Sequence, residues 1–100
     1  MKWYQMAAKH GDSFAQNNIG GLYSNGQGVK KDHQEAMKWY QMAAKQGHAR
    51  AQANIGFLYE NGHGVKKDHQ EAMKWICKAA SKHDKTAIDF LKKSDRTCDE

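Results

Sequence analysis

Proline is absent from this chain, and cysteine occurs only twice, at Cys77 and Cys98. Proline-free sequence with 39% hydrophobic and 27% charged residues fits a folded helical protein better than a disordered chain. Two cysteines are too few for a disulfide framework and lack zinc-ligand spacing. Their redox state stays open: a partly exposed Cys77 thiol is the simplest reading, and a Cys77–Cys98 bond that pins the tail is the other. No apolar run approaches the roughly 18–20 residues that cross a bilayer, and the first residues lack a cationic stretch followed by an apolar one. Nothing therefore reads as a membrane span or a secretory leader. Six histidines are present, yet no His-x-x-x-His or His-Glu-x-x-His pair gathers ligands on one helical turn, and His33 and His69 are expected to face solvent. A glycine-rich phosphate loop, paired carboxylates in an evident cleft and a cofactor signature are also missing. The expectation is a non-enzyme with no catalytic residue, no cofactor and no metal.

What is there is repetition. The nine residues MKWYQMAAK at 1–9 return at 37–45, and MKWICKAAS at 73–81 is an altered third copy. Aligning 1–36 with 37–72 leaves differences only at 10/46, 12/48, 13/49, 14/50, 17/53, 21/57, 24/60 and 27/63. A fixed interval of this kind encodes a unit that stacks against copies of itself. We read one domain, 1–100, made of units 1–36 and 37–72 and a degenerate third unit, 73–100. The chain opens inside a repeat, so Met1 reads as an internal methionine of a longer array.

Each unit carries two helical stretches. One, the B type, runs through DHQEAMKWYQMAAKQG: Asp32 can cap it, Glu35 three residues on can complete a reciprocal capping box, and Gly47 stops it. Ala36, Trp39, Tyr40, Ala43 and Ala44 follow an i, i+3, i+4, i+7, i+8 spacing and form its buried stripe. The other, the A type, runs through ARAQANIGFLYENG and places Ala51, Ile55, Leu58 and Tyr59 on one face. Its interior Gly56, like Gly20 one unit earlier, costs about 1 kcal/mol relative to alanine, so a close helix approach is expected there, with a tryptophan ring as the neighbour. In the linker, Gly62 and Gly64 can supply positive φ and Val65 can plug the apolar underside. Short linkers make neighbouring helices antiparallel. The pattern predicts an all-α row of αα-hairpins with helices near 2–10, 13–25, 32–46, 49–61, 68–82 and 84–93. In the last unit Leu91 and Lys92 replace the Ile-Gly pair, as terminal repeats commonly diverge, while Ile88, Phe90 and Leu91 are expected to pack inward. At the other end Trp3, Tyr4 and Ala7 lack a preceding helix, which makes that edge a candidate for self-association.

The run ARAQANIGFLYENGHGVKKDHQEAMKW resembles the Sel1-like repeat, a relative of the tetratricopeptide repeat. It shares the alanine, the Ile-Gly pair, the tyrosine, the Gly-x-Gly-Val-x-x-Asp linker and the following Ala-x-x-Trp, and the likeness covers nearly the whole chain. The resemblance implies an α-solenoid (an αα-hairpin superhelix) that serves as an adaptor for protein partners, in bacterial secretion, envelope and host-interaction systems and in eukaryotic protein degradation. It supplies no catalytic residues. Some bacterial members pair two cysteines within each repeat, whereas the two early units here have none. Bacterial cytoplasm and periplasm both fit.

A partner surface is suggested by where the copies differ. Asn17, Gly21 and Ser24, replaced by Ala53, Phe57 and Glu60, are spaced i, i+4, i+7 and share one face of the A-type helix. These six residues are expected to line the concave groove for a protein partner, with Phe57 as apolar anchor. A rival reading comes from the net charge of +5. Lys2, Lys38 and Lys74, and Lys30, Lys31, Lys66 and Lys67, recur with the unit and would form basic ridges for nucleic acid or another anionic partner. Against nucleic acid, no RNA-stacking motif or base-reading helix is present. A purely architectural spacer is the third reading.

Overall fold

A computed structural model describes residues 2–98, with side chains described from Gln5 onward. Among these residues the order is α1 (Lys2–Lys9), α2 (Ser13–Asn25), α3 (His33–Lys45), α4 (Ala49–Asn61), α5 (His69–Ser81) and α6 (Lys85–Ser94). There is no strand among them. The helices α1, α3 and α5 are the B type and α2, α4 and α6 the A type, and each packs on the next to give a body of 40 × 24 × 18 Å.

Helix ends follow local chemistry. Asp32 and Asp68 accept the amides of Glu35 and Glu71, each at 3.0 Å. The box is one-sided, because the amides of Asp32 and Asp68 bind the carbonyls of Tyr23 and Tyr59 and so close the linkers. Glu71 instead accepts the indole N–H of Trp75 at 3.1 Å. Gly62 and Gly64 have φ of 69° and 76°, and Val65 packs under the linker against the core.

The core has three segments that follow the repeat. Ala8, Ala15 and Ile19 form the first; Ala36, Met37, Tyr40, Ala43, Ala44, Ala51, Ile55 and Leu58 the second; Ala53, Ala72, Ile76, Ala79 and Ala87 the third. Tyr23 joins the first to the second and Tyr59 the second to the third. Trp39 is only partly buried and packs on the first segment, so the stripe is carried by Ala36, Met37, Tyr40, Ala43 and Ala44. The neighbour of Gly20 is the ring of Tyr40, and that of Gly56 is Ile76, not a tryptophan. The tryptophans, one residue earlier on their helices, lean toward the preceding segment instead.

At the C-terminal end Phe90 and Leu91 pack inward, while half-buried Ile88 lies beside Lys92 and outside the core segments. Lys92, which is exposed, stands where α2 and α4 have Gly20 and Gly56. Cys77 and Cys98 are joined by a disulfide with Cα atoms 5.6 Å apart, so the free-thiol reading of Cys77 gives way to the pinned tail. At the N-terminal end Ala7 packs on the first core segment. Trp3 and Tyr4, on which the expected self-association edge rests, lie outside the described side chains.

Candidate partner groove

Successive A-type helices are tied together by polar side chains one unit apart. Near the start of α2, Ser13 pairs with His48 at 3.3 Å and the Phe14 ring meets the His48 ring edge-on at 4.8 Å. One unit on, Arg50 Nε donates to Asp84 at 3.0 Å. His48 and Asp84 are the N-cap residues of α4 and α6, so each helix start is braced by the helix before it. Burial pushes the Asp84 carboxyl up, but bonds from Thr86, Arg50 and the Ala87 amide outweigh it and hold the group below the ordinary carboxylate range. Burial and neighbouring Arg50 hold His48 below the usual histidine value.

Further along, Asn54 Nδ2 donates to Asn17 Oδ1 at 3.0 Å, bridging α4 to α2. Around this bridge lies an open pocket of about 290 Å³ lined by Asn17, Asn18, Gly21, Asn25, Arg50 and Asn54. Amide side chains carry both donors and acceptors, so this wall can pair with the main chain of an extended segment, and Arg50 adds positive charge. Gly21 keeps the floor low: a Cβ there would have only the Tyr40 hydroxyl as a neighbour, at 3.8 Å. Ser24, one turn on, lies near the Tyr40 hydroxyl.

The six residues expected to form one surface are thus divided. Asn17 and Gly21 meet in the pocket, with Ser24 beside them. Ala53 does not reach any groove: it is fully buried against Ala72, Ile76, Ala79 and Ala87, because α6 packs over it. Phe57 is half-buried, its ring 5.5 Å from that of Phe90 and tilted by 58°. Glu60 is taken up within the chain by Arg96 and by His69. The polar pocket residues not singled out from the sequence are Asn18, Asn25, Arg50 and Asn54. Asn18 and Asn54 occupy the same unit position and are identical, so a search for differences between copies passes over them. Arg50 does differ between copies, from Phe14, and that was its available signal.

No lysine lines this pocket. Lys38 on α3 and Lys74 on α5 are exposed and lie 3.8 and 3.7 Å from Glu35 and Glu71. Lys30, Lys31, Lys66 and Lys67 are exposed in the linkers. His33 is not solvent-facing as expected; its ring stacks on His63 at 4.5 Å, and its buried Nδ1 has no hydrogen-bond partner. Burial, then His63 and Lys31, hold its pKa below the ordinary value. No group of three or more His, Cys, Asp or Glu is arranged to hold a metal among the described residues, and no helix there is long and apolar enough to cross a membrane.

Comparison with solved structures places this geometry. A Sel1 repeat protein from Oxalobacter formigenes superposes with a TM-score of 0.84 at 39% identity, covering 92% of this chain and 69% of that one. The protective antigen c5321 of uropathogenic Escherichia coli, described as displaying an SLR fold, gives 0.84 at 39% identity over 87% of this chain and 19% of its own. The cysteine rich protein B of Helicobacter pylori gives 0.81 at 26% identity, covering 90% and 68%. Among curated proteins nothing matches. The Sel1 repeat family model matches at residues 1–12, 13–48 and 49–84, a frame in which each complete repeat pairs an A-type helix with the B-type helix that follows. With these three matches spanning most of its length, the chain belongs to the Sel1 repeat family.

Proposed function

We propose that the chain is a protein-interaction module that holds an extended segment of a partner protein along the face shared by α2 and α4. Sel1-repeat proteins are generally non-catalytic interaction modules. The single observation that carries the finer reading is the pocket around the Asn17–Asn54 bridge, where four asparagines and Arg50 converge from two helices. Such a wall binds main chain through amide pairing, and its shape is fixed in advance by the stacked hairpins. On this reading Asn17 and Gly21 line the surface and Ser24 flanks it, Phe57 and Glu60 lie in a neighbouring, internally occupied stretch, and Ala53 is buried. The test is partner affinity measured for Asn18→Ala and Asn54→Ala beside Met42→Ala, which alters an exposed residue on α3. The reading expects losses of about tenfold at Asn18 and Asn54, about one hydrogen bond's worth each, and none at Met42. Equal affinity for all three variants contradicts it.

A further inference from the structure

The stretch of A-type face beyond the pocket is filled by the chain's own tail. After α6, Asp95 takes a left-handed conformation with φ of 56°, and the Arg96 amide binds the Leu91 carbonyl at 3.1 Å, which turns the chain back. Arg96 then forms a two-pronged pair with Glu60, Nη1 to Oε1 and Nη2 to Oε2, each 3.0 Å. Its guanidinium lies 5.4 Å over the Phe90 ring, and Nη1 is 3.7 Å from Met73 Sδ. His69 Nδ1 holds the same Glu60 Oε1 at 2.9 Å. Two residues on, Cys98 is tied to Cys77 of α5. A planar fork met by a carboxylate, an aromatic face and a thioether suits guanidinium and not ammonium. Residues 24, 60 and 96 share one unit position, but only Glu60 supplies a carboxylate there, so this seat occurs once among the described residues.

We infer that Glu60, Phe90 and Met73 form an arginine seat, occupied in cis by Arg96, which an arginine of a partner's extended segment enters once the Cys77–Cys98 bond is opened. Opening proceeds by exchange with a dithiol reductant. One reductant thiolate attacks a sulfur of the bond, the second thiol resolves the mixed disulfide, the reductant leaves as its own disulfide, and Cys77 and Cys98 each end as protonated thiols. Cys98 is exposed, so a reductant can reach it. With the bond closed, Arg96 is held at very high local concentration against any competitor; with it open, that advantage falls. The inference rests on the partner face proposed above for its biological setting, but the chemistry of the seat is tested separately.

The probe is a fluorescent Ser-Asp-Arg-Thr peptide, which copies residues 94–97, and its lysine counterpart, titrated by anisotropy against the full chain with and without dithiothreitol. Reduced wild-type protein is expected to bind the arginine peptide about tenfold or more tighter than oxidised protein, and to prefer it over the lysine peptide by a similar factor. An Arg96→Ala/Cys98→Ser double variant should bind it equally in both conditions, and Glu60→Gln should lose binding in both. Hydrogen exchange on the unaltered protein gives a readout free of substitutions: reduction should speed exchange of the Arg96 amide and leave α2 and α3 unchanged. No binding by the double variant, equal binding of the lysine peptide, or unchanged Arg96 exchange on reduction overturns the inference. Asn54→Ala should leave this titration unaffected, so failure of the groove and failure of the seat give different results.

Discussion

A Cβ atom placed on Gly56 would lie 2.6 Å from Cγ1 of Ile76 and 2.9 Å from the Ala72 carbonyl oxygen. The helices α4 and α5 therefore touch through bare backbone at this point. At Gly20 the corresponding obstacle is only the Tyr40 ring, at 2.6 Å, and at Gly21 nothing is nearer than 3.8 Å. Alanine at 56 must push backbone apart, which outweighs its gain in helix propensity. We expect Gly56→Ala to lower stability by about 2 kcal/mol, within the range of overpacked cores. Gly21→Ala should raise it by up to about 1 kcal/mol. Urea unfolding monitored by helicity checks both, and a neutral Gly56→Ala would contradict the close approach.

His83 has φ of 67°, in the left-handed region where Gly11 and Gly47 stand in the two preceding turns, at 86° and 83°. A side chain there carries a steric cost that glycine avoids, partly offset by glycine's greater freedom when unfolded. His83→Gly should therefore stabilise the protein by about 0.5–1 kcal/mol. A thermal melt that shifts downward would count against this.

Acid should weaken the fold in two stages. His33 and His48 sit below their ordinary value of 6.5, chiefly through burial. As pH falls below 6.5, the unfolded chain takes up these protons first, and stability drops until the folded values are passed. Glu60 is held below 4.5 first by its bonds to Arg96, with His69 assisting against burial, and Asp84 is held below 3.8. Their contribution is complete above those ordinary values and is lost as pH falls through the depressed ones. Urea midpoints from pH 8 to pH 3 should show both declines, with His33→Gln reducing the first and Glu60→Gln the second. Midpoints that rise between pH 7 and pH 5 would refute the assignment.

Removing Arg50 should expose a dependence between units. Asp84 is 6% exposed at its side chain and caps α6, while Arg50 is half in water. Arg50→Met leaves the carboxylate short of one charged hydrogen bond, at a cost of about 1–2 kcal/mol after allowance for the solvent around Arg50. Paired with Asp84→Asn, the loss should be less than the sum of the two single changes, which a double-mutant cycle measures.

Most of the fold was readable because its signals are local. The caps Asp32 and Asp68 and the stops Gly26 and Gly62 bracket helices by short-range chemistry, so the expected 32–46 and 49–61 became Asp32-capped 33–45 and 49–61. What periodicity cannot give is which neighbour fills a gap. Tyr40 and Ile76, not the tryptophans beside them, approach the interior glycines, since a one-residue rotation about the helix axis decides this. The groove was only half legible for the same reason. Asn17, Gly21 and Ser24 share a face on α2, but whether that face is open depends on the next A-type helix, and over Ala53 that helix is α6. The tail was least legible, because Arg96 and Glu60 are one unit apart in a stretch where the repeat has already decayed.

The account turns on a partner lying against α2 and α4, and position-specific photo-crosslinking tests that most directly. A photoreactive residue at Asn54, on the pocket wall, and another at Met42, on α3, would be compared in full-length protein with the partner present, and the joined peptides sequenced. The account predicts that position 54 crosslinks to one contiguous partner segment and position 42 does not. Crosslinking from position 42 but not from 54 would contradict it.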